Sequence, residues 1–188
     1  MKILQAPFSH EELKNLRAGE SVSINGHFLV ARDAAHKRLF ECIQNHQQLP
    51  VSLQGECVYY MGPSPANPGE VIGSAGPTTS GRMDVYTPTL LECGLRAMIG
   101  KGYRSQEVID AIVKYEAVYF VCIGGAGALI SQSIKKYEVL AYEDLGAEAI
   151  ARIEVENFPC IVAIDSRGNN FYLQGQQLAK SPINRPIR

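Results

Sequence analysis

The sequence predicts an α/β fold: one domain with a largely parallel sheet and a closing β-hairpin at its C-terminal end. Three observations predict it. Between residues 95 and 144, strand-like and helix-like runs alternate, the rhythm of βαβ units with helices packed on a parallel sheet. At 188 residues the chain is long enough for one real core and too short for two comfortable ones. The end breaks the alternation: RIEVENF, CIVAID and FYLQ are β-like, with Ser166-Arg167-Gly168-Asn169-Asn170 as a turn. The domain is expected over 1–180, and the polar, proline-containing segment 181–188 is expected to be a loose tail.

The elements follow in order. Ser9-His10-Glu11-Glu12 fits a capping box and opens a short helix ending near Gly19. SVSINGHFLVARD is strand-like. From Asp33, read as an N-cap, a helix carries Leu39, Phe40 and Ile43 on one face. ECVYYMG is a buried strand and PSPANPG a loop. VIGSAG leads through PTTSGRMD into a helix that reaches about Leu91, with Pro88 kinking or restarting it. LRAMIG is a strand, and SQEVIDAIVKYE a helix with Val108, Ile109, Ile112 and Val113 inward. AVYFVCIG is a strand, GAGALISQSIKKY a helix and EVLAYED a strand.

Composition excludes several classes. The formal net charge of −1 gives no overall field to recruit nucleic acid or an anionic membrane, so any bound anion must be held by local groups. No apolar run approaches the ~20 residues of a bilayer span. The start MKILQAPFSHEE lacks the pattern of a signal peptide, which points to the cytoplasm. Five cysteines at wide spacings form no CxxC pair, and Cys57, Cys122 and Cys160 lie in β-like runs, where a thiol packs as a small hydrophobe.

Four segments could carry chemistry. In Gly73-Ser74-Ala75-Gly76-Pro77-Thr78-Thr79-Ser80-Gly81-Arg82-Met83-Asp84, backbone N–H groups, hydroxyls and an arginine gather at a helix start, a combination suited to an anion. The Arg82 fork matches a carboxylate with two parallel hydrogen bonds. The same spacing also fits a plain helix start, with Thr78 or Thr79 capping and Arg82 paired with Asp84 or another surface acid. Arg32 stands where a strand gives way to a helix, the edge at which α/β proteins place ligands; His36 is either an acid–base group or structural. Lys101, between Gly100 and Gly102 at a strand end, is either a ligand-facing ammonium or an exposed turn residue. Gly124-Gly125-Ala126-Gly127 has the outline of a dinucleotide turn, but Ile130 stands where a third glycine or alanine belongs.

Together these segments resemble the smaller subunit, or C-terminal domain, of the class I fumarase and tartrate dehydratase family. The resemblance rests on ARDAAH at 31–36, YYMGPSP at 59–65, GSAGPTTSGRMD at 73–84, IGKG at 99–102, GGAGALIS at 124–131, and LGAEAI followed by VENFP. The wording is nearer the fumarase branch. What the resemblance implies is a swivelling β/β/α domain docked against a larger alpha subunit that holds a four-iron four-sulfur cluster. It also implies a dicarboxylate substrate gripped by Arg32, Thr78, Thr79, Arg82 and Lys101, with Thr78 as base and Lys101 beside it. A nucleotide-binding module on the glycine turn, a freestanding small-acid binder and pairing of two copies remain open on the sequence.

Overall fold

The computed structural model describes residues 1–66, 68–122 and 127–180, the side chains of 127–129 and 176–180 excepted. The tail 181–188 and residues 124–126 of the glycine turn lie outside the described residues. Seven strands form one sheet: β1 (Lys2–Ala6), β2 (Ser21–Val30), β3 (Cys57–Tyr59), β4 (Ala97–Gly100), β5 (Val118–Cys122), β6 (Ile134–Ala141) and β7 (Ile150–Ile164). β2, β3, β4 and β5 run parallel side by side. β7 then pairs antiparallel with both β5 and β2 and closes the sheet into a five-strand ring. Cys160 shows the closure in one residue, facing Cys122 of β5 on one side and Val22 of β2 on the other. β1 lies parallel to the first half of β2, and β6 lies antiparallel to the first half of β7.

The ring explains why β3, β4 and β5 are apolar without alternation: their side chains are buried on both faces, as in sheets covered by helices. Cys57, Tyr59, Ala97, Ile99, Val118, Phe120 and Cys122 point inward to one core with Phe28, Phe158 and Cys160. Their sequence neighbours Val58, Tyr60, Met98, Tyr119 and Val121 point outward to a second core. That outer core is filled by α2 (Asp33–Gln44), α3 (Thr87–Glu92) and α4 (Gln106–Lys114) through Leu39, Leu90, Leu91, Val108 and Ile112. The short α1 (His10–Lys14) carries the expected capping box, Ser9 N–H to Glu12 Oε2 at 2.9 Å and Glu12 N–H to Ser9 Oγ at 3.2 Å.

Several expectations need correction. The sheet is only partly parallel, because every pairing of β7 is antiparallel. Among the described residues no C-terminal hairpin forms: RIEVENF and CIVAID are one continuous strand, β7, and FYLQ opens the helix α6 (Phe171–Lys180). Between the two runs the register shifts, with Ile24 opposite Phe158 and Gly26 opposite Val155, and Asn157 turns to φ 53°. The Asn25 side chain accepts the Asn157 N–H at 2.8 Å, so the bulge is held and the strand runs on. The turn 166–170 is real, gathered on the Asp165 carboxylate by the N–H groups of Arg167 and Asn169.

KILQA, assigned to no element from the sequence, is β1. The residues IKKY, read as helix, belong to β6, since α5 ends at Ser133; pairing with β7 overrides the helical pattern. The N-cap of α2 is Arg32, with Asp33 the first helical residue. In α4, Val113 is 42% exposed and Ala111 is buried in its place. Pro88 does restart the chain as a helix: a 3-10 turn over Ser80–Met83 precedes α3, with the proline in its first turn. A second 3-10 segment, Glu143–Glu148, links β6 to β7.

Candidate functional site

The C-terminal ends of β2, β3 and β4 lie next to one another, the edge at which open parallel sheets present ligands. Past β3 and β4 a further piece of chain enters between them. Pro77 bridges Met61, the Thr78 N–H bonds the Tyr60 carbonyl at 2.7 Å, and Thr79 bridges Lys101. The Ser80 N–H bonds the Lys101 carbonyl at 2.9 Å, and the Lys101 N–H returns to Ser80 Oγ at 3.0 Å. Thr78 and Thr79 are thus seated on strand-like backbone rather than on a free loop. Gly100 is required here, since a Cβ on it would stand 2.0 Å from Ser80 Oγ.

The two arginines meet at this edge. Arg82 Nη2 donates to Thr78 Oγ1 at 2.5 Å, and its Nε lies 3.1 Å from Asp33 Oδ1. Arg32 donates from Nε and Nη2 to Glu148 Oε1 at 3.1 and 2.7 Å, while Ala34 N–H donates to Glu148 Oε2 at 2.8 Å. Asp33 also lies 3.7 Å from Arg32 Nε. Each guanidinium is therefore held along its Nε edge by a carboxylate. Partial burial pushes the Glu148 carboxyl up, but the Ala34 N–H and the Arg32 hydrogen bonds, with the Arg32 and Arg82 charges, outweigh it and hold it below the usual carboxylate range. Gly62 makes room, for a Cβ there would stand 2.0 Å from Arg32 Nη1.

A buried polar layer supports the edge from beneath. The Arg104 side chain has 0% exposure, donates to Asp84 Oδ1 at 2.6 Å and Thr87 Oγ1 at 2.8 Å, and lies over the rings of Tyr119 and Tyr60. Asp84 Oδ2 accepts the Ser105 N–H at 2.7 Å, tying the turn after Lys101 to the 3-10 turn that carries Arg82. Tyr119 donates to the Gly102 carbonyl at 3.0 Å and lies 2.8 Å from Ser80 Oγ. His36 is fully buried, with Nδ1 3.0 Å from the Arg32 carbonyl and its ring edge-on to Tyr60. Burial lowers its pKa to about 4, with the Arg104 charge adding to the effect and the Arg32 carbonyl and Asp33 opposing it. His36 is neutral and enclosed, a brace for the start of α2.

Of the residues expected from sequence, Arg32, Thr78 and Arg82 form one linked group through Asp33. Thr79 and Lys101 are exposed and adjoin that group through their backbones. The plain helix-start alternative holds in part: Thr79 makes no side-chain cap and Asp84 is taken by Arg104, but Arg82 does pair with another acid, Asp33. Sequence reasoning missed Glu148, Arg104, Asp84 and Ser80. Glu148 sits inside the LGAEAI motif, yet its partner Arg32 is 116 positions away, a pairing that no local pattern reveals.

The thiols do not fit an iron–sulfur cluster. Cys57, Cys122 and Cys160 are packed in the barrel core, and among the described residues no group of three or more His, Cys, Asp or Glu could hold a metal ion. Among the described residues, too, no helix is long and apolar enough to cross a membrane.

The chain is 42% identical over 167 residues to the aerobic class I fumarate hydratase of Escherichia coli K12, covering 88% of this chain and 30% of that protein. It is 42% identical over 166 residues to the mitochondrial fumarate hydratase 1 of Leishmania major, covering 87% of this chain and again 30% of the relative. It is 35% identical over 183 residues to a putative L(+)-tartrate dehydratase subunit beta of Methanocaldococcus jannaschii, covering 94% of each. The chain thus spans about a third of the length of the fumarate hydratases and nearly all of the tartrate dehydratase subunit. The family model for the fumarase C-terminus matches residues 2–175, and the chain belongs to that family.

Proposed function

We propose that this chain is the beta subunit of a hydro-lyase that reversibly hydrates fumarate to (S)-malate. In this reading a larger alpha subunit carries the iron–sulfur cluster, and this chain grips the dicarboxylate and handles a proton. The observation that carries the reading is the linked group at the strand ends: Arg32 and Arg82, each held on its Nε edge by a carboxylate, with Thr78 directly against Arg82. Such forks bind carboxylates in two parallel hydrogen bonds.

Removing a proton beside a carboxylate builds negative charge toward that carboxylate, and fixed cations around it lower the barrier. Thr78 is the proposed base, Lys101 the proposed neighbouring cation, and Arg32, Thr79 and Arg82 the other binding groups. A free hydroxyl is a poor base at neutral pH. The Arg82 Nη2 hydrogen bond to Thr78 Oγ1 supports the role, because a charged donor on that oxygen favours its deprotonated form. Its backbone, tied to Tyr60, keeps the hydroxyl from drifting.

A second reading, L-tartrate dehydratase subunit beta, is favoured by the near-complete mutual coverage with the Methanocaldococcus jannaschii protein. Anaerobic co-expression with a larger, cysteine-bearing subunit, followed by assays on malate, fumarate and tartrate, separates the two. The isolated chain is expected to be colourless and inactive and the complex brown and oxygen-sensitive. In the active complex Thr78→Ala is expected to lower kcat by roughly a hundred-fold or more with little change in KM. Near-normal turnover in that variant removes Thr78 from the base role.

A further inference from the structure

We propose that Glu148 is a positioning residue that presents the open end of the Arg32 fork to a substrate carboxylate; the identity of that substrate rests on the hydro-lyase reading above. Its two oxygens do different work. Oε1 takes the Nε and Nη2 hydrogens along one edge of the guanidinium, and Oε2 takes the Ala34 N–H in the first turn of α2. The carboxylate is thereby locked to the helix that begins beside Arg32, and the guanidinium is locked to the carboxylate. What remains is the far end of the fork, Nη1 with the outer Nη2 hydrogen, and the Arg32 side chain keeps 29% of its surface exposed. That end offers the two parallel donors a carboxylate accepts.

The segment that delivers Glu148 is built for the purpose. Gly146 adopts φ 57° and ψ −120°, which breaks the 3-10 segment just before Glu148 and turns it toward α2. Arg38 of α2 grips Asp144 of the same segment with two hydrogen bonds, 2.8 and 2.5 Å, so segment and helix are stapled twice.

Without Glu148 the nearest carboxylate to Arg32 is Asp33, 3.7 Å from its Nε and already 3.1 Å from Arg82 Nε. Both arginines would then compete for one acid and crowd together. With Glu148 present each arginine has its own acid, and the far end of the Arg32 fork stays open.

Charge and orientation predict opposite outcomes for Glu148→Gln. The substitution removes one negative charge beside an anion site, so charge alone would tighten binding of a dianion. Loss of orientation would weaken it. In the complex of the full chain with its larger partner, Glu148→Gln is expected to raise KM roughly ten-fold with kcat changed far less, the signature of lost uniform binding. Arg32→Ala combined with Glu148→Gln should lose no more than Arg32→Ala alone. A KM equal to or below that of the unsubstituted complex, or losses that simply multiply in the double variant, overturns the proposal.

A second readout on this chain alone needs no turnover. The Arg32 Nε–H proton should give a sharp, slowly exchanging NMR resonance that is lost in Glu148→Gln while the circular-dichroism melting curve stays in place. Persistence of that resonance overturns the proposal as well. An unsubstituted complex that turns over none of the three acids refutes the hydro-lyase reading instead, and the resonance still decides whether Glu148 holds Arg32.

Discussion

Gly62 carries no side chain, and that absence shapes the Arg32 fork. Its backbone is not in the left-handed region, so alanine meets no conformational strain there, only the Nη1 of Arg32 at 2.0 Å from the new Cβ. A long arginine swings aside cheaply. Gly62→Ala is therefore expected to leave the melting temperature almost unchanged while weakening dicarboxylate binding roughly ten-fold, since small misplacements of a binding group are costly. Equal KM values for the two proteins would show that the fork does not depend on this gap. His36 supplies a pH prediction. Its pKa is about 4 in the folded chain against 6.5 for a free imidazole, so between those values the unfolded chain binds more protons. Stability is complete above pH 6.5 and is lost as pH falls toward 4. Urea denaturation should show a loss of about 2 kcal/mol from this group between pH 7 and pH 5. His36→Leu should remove that slope, though it forfeits the bond to the Arg32 carbonyl.

Among the elements, β7 does the most. It pairs with β2, β5 and β6, and it is the only route by which the parallel strands close among the described residues. Its amides in the stretch shared by β2 and β5 are expected to be among the slowest to exchange with deuterated solvent, because they open only when the ring opens. Fast exchange at Val162 would place the cooperative core elsewhere. The sequence hides this strand. It reads as two runs, RIEVENF and CIVAID, and Asn25, whose side chain holds the bulge between them, is 132 positions away. The helix α6 is hidden too, since FYLQ is as β-like as helical and Asn170, whose Oδ1 accepts the Tyr172 N–H at 3.0 Å, is also a turn residue. The local punctuation was readable: the capping box at Ser9 and the restart at Pro88 both depend on neighbours within a few positions.

Across the whole molecule, the chemistry-bearing residues were easier to find than the arrangement that holds them. Thr78, Arg82 and Lys101 each sit in a short motif beside glycine or proline, and Arg32 stands where β2 gives way to α2, places where a sequence pattern has meaning. Glu148 lies 116 positions from the Arg32 it aims, and Arg104 lies 20 positions from Asp84, so neither pairing shows in a local pattern. The two cores follow the same logic: β3, β4 and β5 show unbroken apolar runs, and only the fold assigns odd and even positions to the inside and outside of the ring.

The stretch Pro77–Ser80, wedged between the ends of β3 and β4, carries a consequence for heat and denaturant. Its bonds to Tyr60 and Lys101 continue the hydrogen-bonded ladder of the barrel, so Thr78 has no hinge of its own. Loosening that threonine means fraying two central strands, so competence at this edge and integrity of the wall behind it rise and fall as a single cooperative unit.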